Sequence, residues 1–88
     1  MRFKKTTVVD AIQWEGGNDS HNKVKDFVGN DYFVMWHMLI NDLSFMTYPL
    51  SESKTMLSAV KGDWIIRSKN NSYSVEKPGY FEHWQLIG

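Results

Sequence analysis

The chain has 88 residues, ten of them basic and ten acidic, and it contains no cysteine. A chain of this size buries only about 60% of its unfolded surface, so residues 1–88 have room for one small core in a single domain. The balanced charge argues against binding to duplex nucleic acid, which normally requires a basic excess. The absence of cysteine excludes a disulfide framework and a thiolate metal site, and it fits the reducing cytoplasm.

The first predicted element is a strand at residues 7–14. This stretch is rich in β-branched residues and has apolar side chains on both faces, which indicates a central strand of a sheet. Residues 15–20 have the composition of a loop, and Asp19 or Ser20 can act as the N-cap of a following helix.

A short amphipathic helix is predicted next. Val24, Phe27 and Val28 stand at i, i+3 and i+4, so their side chains share one face. Gly29 supplies a C-terminal stop. A helix of about nine residues is too short to be stable alone, so we expect it to lie on a sheet.

Residues 32–40 fit either a helix or a strand by pattern alone. Their aromatic and β-branched residues favour a strand, and Asn41-Asp42 is typical of a hairpin turn into a second strand at 43–48. Pro49 then ends that strand or places it at an edge. The apolar run is too short for a bilayer span of about 20 residues, so we expect no membrane association.

The last third of the chain predicts further short strands joined by turns. Pro78 and Gly79 fit the central positions of a type II turn, and the short connections favour antiparallel pairing. The predicted strands cover residues 55–60, 64–67, 72–76 and 80–87. The fold class predicted is therefore α+β: a small curved antiparallel sheet or partly open barrel of about six strands, with one short helix packed on it.

Two motifs near the ends of the chain resemble a widespread group of small tailed-phage and prophage proteins. The motifs are Lys4-Lys5 followed by Val8-Val9-Asp10-Ala11-Ile12-Gln13-Trp14, and Gly62-Asp63-Trp64-Ile65-Ile66 followed by Lys77-Pro78-Gly79-Tyr80-Phe81-Glu82. The resemblance leaves residues 18–60 outside it. It implies a phage origin and a shared scaffold, and because the group has no agreed activity, it implies no function.

Four positions depart from the pattern of that group. Thr6 and Lys61 stand where the group usually has proline, Ser68 replaces a glycine, and Gly79 replaces an aspartate. Each difference changes a turn or edge preference, because proline fixes φ and glycine admits positive φ. None removes a group with an obvious chemical role, so the scaffold transfers better than any function.

The sequence contains no recognisable catalytic motif. His21, His37 and His83 are the candidate acid, base or metal-binding residues of the chain, but no two of them have the spacing of metal ligands. His83, between Glu82 and an aromatic residue, can act as an acid or base, although an ordinary strand histidine is the simpler interpretation. Asp63 is expected to fix a turn. We therefore predict no enzyme activity, no catalytic residue, no metal and no cofactor.

The middle of the chain carries more aromatic and Met residues than one small core requires. Such residues are concentrated at protein interfaces, although they also serve as ordinary core and sheet surface. If one face of the hairpin covers the core, the other face remains rich in rings. The candidate binding patch for a partner or ligand consists of Tyr32, Trp36, Met38, Phe45, Tyr48, Arg67, Lys69 and His83.

The leading functional hypothesis is a non-enzymatic, phage-encoded binding protein that inhibits or diverts a host protein. The phage resemblance makes counter-defence, as by an anti-CRISPR-like or other anti-immune inhibitor in the host cytoplasm, the expected role. Self-association as a homodimer is also expected, because it would cover surplus apolar surface.

Three alternatives stay open. An oligomeric sponge could sequester a nucleotide signal, with rings stacking on the base and Arg67 or Lys69 holding phosphate. A small hydrolase or nuclease would use His83 with Glu82 or Asp63. A virion accessory protein would be found in purified particles.

Overall fold

The computed structural model describes residues 1–29, 32–47, 56–69 and 72–87. These residues form one α-helix, α1 at Gly17–Val28, and one 3-10 helix at Pro78–Phe81 besides the strands. The strands are β1 Arg2–Lys4, β2 Val8–Gln13, β3 Tyr32–His37, β4 Asp42–Thr47, β5 Met56–Ala59, β6 Trp64–Arg67, β7 Tyr73–Glu76 and β8 Gln85–Leu86. Of the helices in this part of the chain, none is long and apolar enough to cross a membrane.

The strands form two antiparallel sheets. The larger sheet has the strand order β7-β6-β2-β1-β8 and does not close into a barrel, and the smaller sheet has the order β3-β4-β5. The predicted α+β class, with a small antiparallel sheet and a packed helix, is confirmed. The described residues contain eight strands rather than about six, and β1 has no counterpart among the predicted strands.

Strand β2 is central, as its two apolar faces predicted. It lies between β6 and β1, with Ala11 opposite Ile66 and Ile12 opposite Ile65. Ala11 has no exposed surface. Full burial of a side chain the size of Val or Ile stabilises the folded state by about 1.5–3 kcal/mol. Packing on both faces of the sheet therefore holds β2 in place.

The two faces of the large sheet carry two separate cores. The helix-side core packs α1 and the small sheet against one face, and its buried members are Trp14, Val24, Val28, Leu43, Ala59 and Ile65. The opposite core consists of Phe3, Ala11, Trp64, Ile66 and Phe81. Because side chains alternate along a strand, the neighbours Ile65 and Ile66 point into different cores.

The start of α1 differs from the prediction. The helix begins at Gly17 and has 12 residues, so neither Asp19 nor Ser20 is the N-cap. The N-cap is Gly16, and the backbone N–H of Gly17 donates to the distant Asn41 Oδ1 at 3.2 Å. The Ser20 hydroxyl accepts a bond from the backbone N–H of Glu15 at 3.0 Å, which fixes the loop before the helix.

The C-terminal segment also differs from the prediction. Pro78 and Gly79 begin a 3-10 helix rather than a type II turn, and the final strand is only Gln85–Leu86 rather than residues 80–87. The physical reason is the burial of Phe81, which is 7% exposed. Its ring stacks on Phe3 with centroids 3.8 Å apart, and the helical turn brings it there.

Candidate interaction site at the hairpin tip

The β3–β4 hairpin ends in an apolar tip. The two strands pair from Tyr32 opposite Thr47 to His37 opposite Asp42, so residues 38–41 form a four-residue connection. This differs from the predicted strand over residues 32–40. Within the connection three consecutive side chains stand in solvent, and the exposed fractions are 70% for Met38, 102% for Leu39 and 68% for Ile40.

Asn41 ties this tip to the rest of the molecule. Its backbone N–H donates to His37 O at 2.8 Å, which closes the turn. Its side-chain Oδ1 accepts from Trp36 Nε1 at 3.0 Å and from the backbone N–H of Gly17 at 3.2 Å. Its carbonyl accepts from Trp14 Nε1 at 2.7 Å. One residue therefore joins the tip, the helix start and the helix-side core.

Local backbone geometry explains why asparagine stands at this position. Asn41 has a φ of 60°, a left-handed conformation that asparagine tolerates better than most residues. The neighbouring Gly16 also has a positive φ of 80°, and a Cβ added there would collide with Asn41 Nδ2. Glycine at position 16 thus leaves room for the Asn41 side chain and adopts the positive φ without strain.

The base of the tip is fixed by a side-chain pair. His37 Nε2 lies 2.9 Å from Ser44 Oγ across the hairpin, so the imidazole has a hydrogen-bond partner. Met35, on the same strand, is 43% exposed. Hydrogen bonds therefore hold the backbone of the tip in place while its apolar side chains are exposed to solvent. Binding would require little further ordering of this backbone.

The predicted patch residues do not all lie at this tip. Met38 does, whereas Trp36 packs against the helix-side core with its ring centroid 6.3 Å from that of Trp14. The backbones of Tyr32 and Phe45 lie in β3 and β4, but their side chains are outside the described part of the structure. Tyr48 lies outside the described residues altogether.

Arg67 and Lys69 lie elsewhere, at the other end of α1. Arg67 Nη1 donates to Phe27 O at 2.9 Å, and its guanidinium carbon is 4.7 Å from the centroid of the Phe27 ring. Hydrogen bonding to Tyr73, together with Asp10, raises the pKa of the Arg67 guanidinium above its ordinary value. Lys69 is exposed two residues beyond the end of β6.

His83 is exposed in the turn that follows the 3-10 helix. Asp63 is buried and its Oδ2 accepts the backbone N–H of Val60 at 3.1 Å, so it fixes the turn before β6 as predicted. His21 Nε2 is buried without a hydrogen-bond partner among the described residues, and burial lowers the pKa of this imidazole. These groups lie on separate elements and form no shared site.

Sequence reasoning missed the exposed Leu39 and Ile40, because it placed them in a strand that extends to residue 40. The available signal was Asn41, a residue that tolerates the left-handed conformation in which a four-residue connection ends. No group of three or more His, Asp or Glu side chains in the described ranges could hold a metal ion. No protein-family model, curated protein or solved structure matches the chain.

Proposed function

We propose that this is a non-enzymatic binding protein that docks on a partner protein through the hairpin tip. One observation carries the proposal: Met38, Leu39 and Ile40 are at least 68% exposed on a connection that is braced by Asn41. Unpaired apolar side chains grouped in this way favour burial at an interface, at about 25 cal/mol per Å² of apolar area removed from water.

The chemistry of the tip defines the surface that it fits. Met is flexible and adapts to irregular pockets, whereas the two aliphatic neighbours fill a cleft with defined shape. Asp42 and His37 flank the tip and supply a polar rim. The complementary surface is therefore an apolar cleft with polar edges, and a few tip residues should supply most of the binding free energy.

The resemblance to tailed-phage proteins supports a bacterial host protein as the partner. On that basis we propose that docking blocks or diverts the host protein in the host cytoplasm, with counter-defence as the biological role. The role depends on analogy of origin, whereas the docking surface depends on the exposed tip.

Affinity capture from infected host lysate tests the proposal directly. Tagged wild-type protein is compared with Leu39→Asp, which places a charge on the tip, and with Leu86→Asp as the matched control. Leu86 is also an exposed leucine, at 56%, but it lies on the edge strand β8. We expect one host protein to be retained by the wild type and by Leu86→Asp and lost by Leu39→Asp.

Two results would contradict the proposal. One is an identical set of captured proteins for all three chains, when circular dichroism shows that each is folded. The other is recovery of the protein in purified virions in stoichiometric amount, which would favour the structural accessory role.

A further inference from the structure

A groove crosses the large sheet where β1, β2 and β6 meet. It is open to solvent and has a volume of about 170 Å³, and its lining consists of Arg2, Val8, Asp10, Arg67, Ser68 and Lys69. A second hollow of about 320 Å³ adjoins it and shares Val8, Ser68 and Lys69. Together they have room for a phosphate group and for a further part of a small ligand.

Sheet pairing brings together cations that are far apart in the sequence. Arg2 lies opposite Asp10 between β1 and β2, and Asp10 lies opposite Arg67 between β2 and β6. With Lys69, the groove lining carries three cations and one carboxylate, a formal excess of two positive charges (3 − 1 = 2). The whole chain has no net charge, so this positive charge is local.

The carboxylate holds the two guanidinium groups in place. Asp10 Oδ1 accepts from Arg2 Nε at 2.9 Å, and Asp10 Oδ2 accepts from Arg67 Nη2 at 3.4 Å. Arg67 is held further by the carbonyl and ring of Phe27. Both terminal nitrogens of Arg2 have no bonding partner among the described residues, so they remain available to a ligand.

We propose that this groove binds the phosphate group of a small phosphorylated ligand such as a nucleotide. Guanidinium groups bind phosphate through paired, charge-assisted hydrogen bonds, and an ammonium group adds a point charge. Arg2 supplies the free donors, Arg67 a fixed positive charge, and Lys69 a mobile one. The apolar side of the adjoining hollow at Val8 accommodates the rest of the ligand.

Charge rather than size selects this groove. A larger hollow of about 380 Å³ lies between β5 and β7, but its charged residues are Asp63, Glu76 and Lys77. That lining has a formal charge of −1 (1 − 2 = −1), which opposes an anion. The chain therefore offers an internal comparison between two hollows of opposite charge.

The groove is separate from the hairpin tip. Asn41 binds the first residue of α1, whereas Arg67 binds the carbonyl of Phe27 near its end. A helix of 12 residues spans about 18 Å. Phosphate binding is therefore independent of the proposed protein partner, and each can fail without the other.

The test is a titration of ¹⁵N-labelled protein with inorganic pyrophosphate and with AMP, followed by amide NMR shifts at constant ionic strength. We expect saturable shifts at Val8, Asp10, Ser68 and Lys69. Lys69→Ala should weaken binding about tenfold, the loss expected for one charge-assisted contact. Arg2→Ala should weaken it similarly, whereas the matched control Lys77→Ala, in the acidic hollow, should bind like the wild type.

The two probes also identify the source of the phosphate. Tighter binding of AMP than of pyrophosphate would indicate that the ligand is a nucleotide. Equal affinities would indicate that the groove recognises the phosphate group alone. The proposal is overturned if millimolar pyrophosphate gives no saturable shift, if the shifts are spread over exposed lysines such as Lys23 and Lys25, or if Lys77→Ala weakens binding as much as Lys69→Ala.

Discussion

Asn41 is the residue on which the position of the hairpin tip depends. Replacing it with alanine removes Oδ1, which leaves the N–H groups of Trp36 and Gly17 without their acceptor. Unpaired, partly buried donors cost about 1–3 kcal/mol, and alanine also tolerates a φ of 60° poorly. We expect Asn41→Ala to lower the free energy of unfolding by about 2 kcal/mol, as measured by urea denaturation.

Asn41→Asp is the matched control for that measurement, because the carboxylate keeps an acceptor at the same place. It should lose less stability than Asn41→Ala. Equal stability of Asn41→Ala and the wild type would show that the two donors find other partners, and the tip would then be less firmly braced than its hydrogen bonds indicate.

Two titrating residues make stability depend on pH in two steps. Burial, with the charge of Lys25, lowers the pKa of His21 below its ordinary value of 6.5. Hydrogen bonding from Arg2, with a further bond from Arg67, lowers the pKa of Asp10 below its ordinary value of 3.8. In both cases the folded state binds its proton less readily than the unfolded state, so acidification favours unfolding.

The stability contributed by neutral His21 is complete above pH 6.5 and is lost as the pH falls through the lowered pKa. The contribution of ionised Asp10 follows the same rule below pH 3.8. Thermal denaturation across this range should therefore show two declines. His21→Phe, which keeps a ring beside Trp36, should abolish the first decline, and Asp10→Asn the second. Declines unchanged in both variants would contradict this assignment.

At the scale of elements, the local sequence pattern is enough to predict a helix or strand whose own side chains determine its conformation and its buried face. Strand β2 has apolar side chains on both faces, and α1 places Val24 and Val28 on one buried face. Strand β1 offers only Phe3 between two exposed cations, and it becomes a strand through pairing with β2 and β8. No local signal in three residues could have predicted that pairing.

The groove could be predicted only in parts. The sequence shows basic residues near Arg2 and near Arg67 as two distant clusters, and Asp10 as a member of a strand. These residues come together only through the register of two strand pairs, β1 with β2 and β2 with β6. A slip of one residue in either register would change every contact between the strands. The exposed tip depends in the same way on where the β3–β4 pairing ends.

The 3-10 helix gives an element-scale prediction. Phe81 is 7% exposed and packs on Phe3 and Trp64, whereas the preceding Tyr80 is 41% exposed. Phe81→Ala should cost about 3–5 kcal/mol, typical of a large aromatic lost from a core, and Tyr80→Ala less than about 1 kcal/mol. Denaturant midpoints measure both, and equal losses would mean that the 3-10 helix does not depend on Phe81.

At the scale of the whole molecule, the two proposed sites should behave independently. Leu39→Asp changes the tip and should leave pyrophosphate binding at its wild-type affinity, whereas Lys69→Ala should still retain the captured host protein. The NMR titration is applied to Leu39→Asp, and the affinity capture is applied to Lys69→Ala. Loss of both activities in either variant would show that the sites are coupled or that the fold has changed.

Homodimerisation stays a prediction for the whole molecule. A second copy would compete with the host protein for the same apolar tip, since covering the tip removes exposed apolar area from water in either case. Sedimentation over a wide concentration range should show dimers for the wild type and monomers for Leu39→Asp. A monomer at every concentration would contradict homodimerisation, and the tip would then be available to bind a different protein.

The late position of β6 in the sequence also determines when the molecule can fold. Its pairing with β2 joins residues 51 to 57 positions apart, from Gln13 with Trp64 to Asp10 with Arg67, whereas the β3–β4 hairpin closes across His37 and Asp42. Long-range pairing forms slowly because the intervening loop must first close. Each core needs a residue of β6, so neither can be completed before this strand emerges from the ribosome. Folding during synthesis is therefore delayed until the last third of the chain has been made.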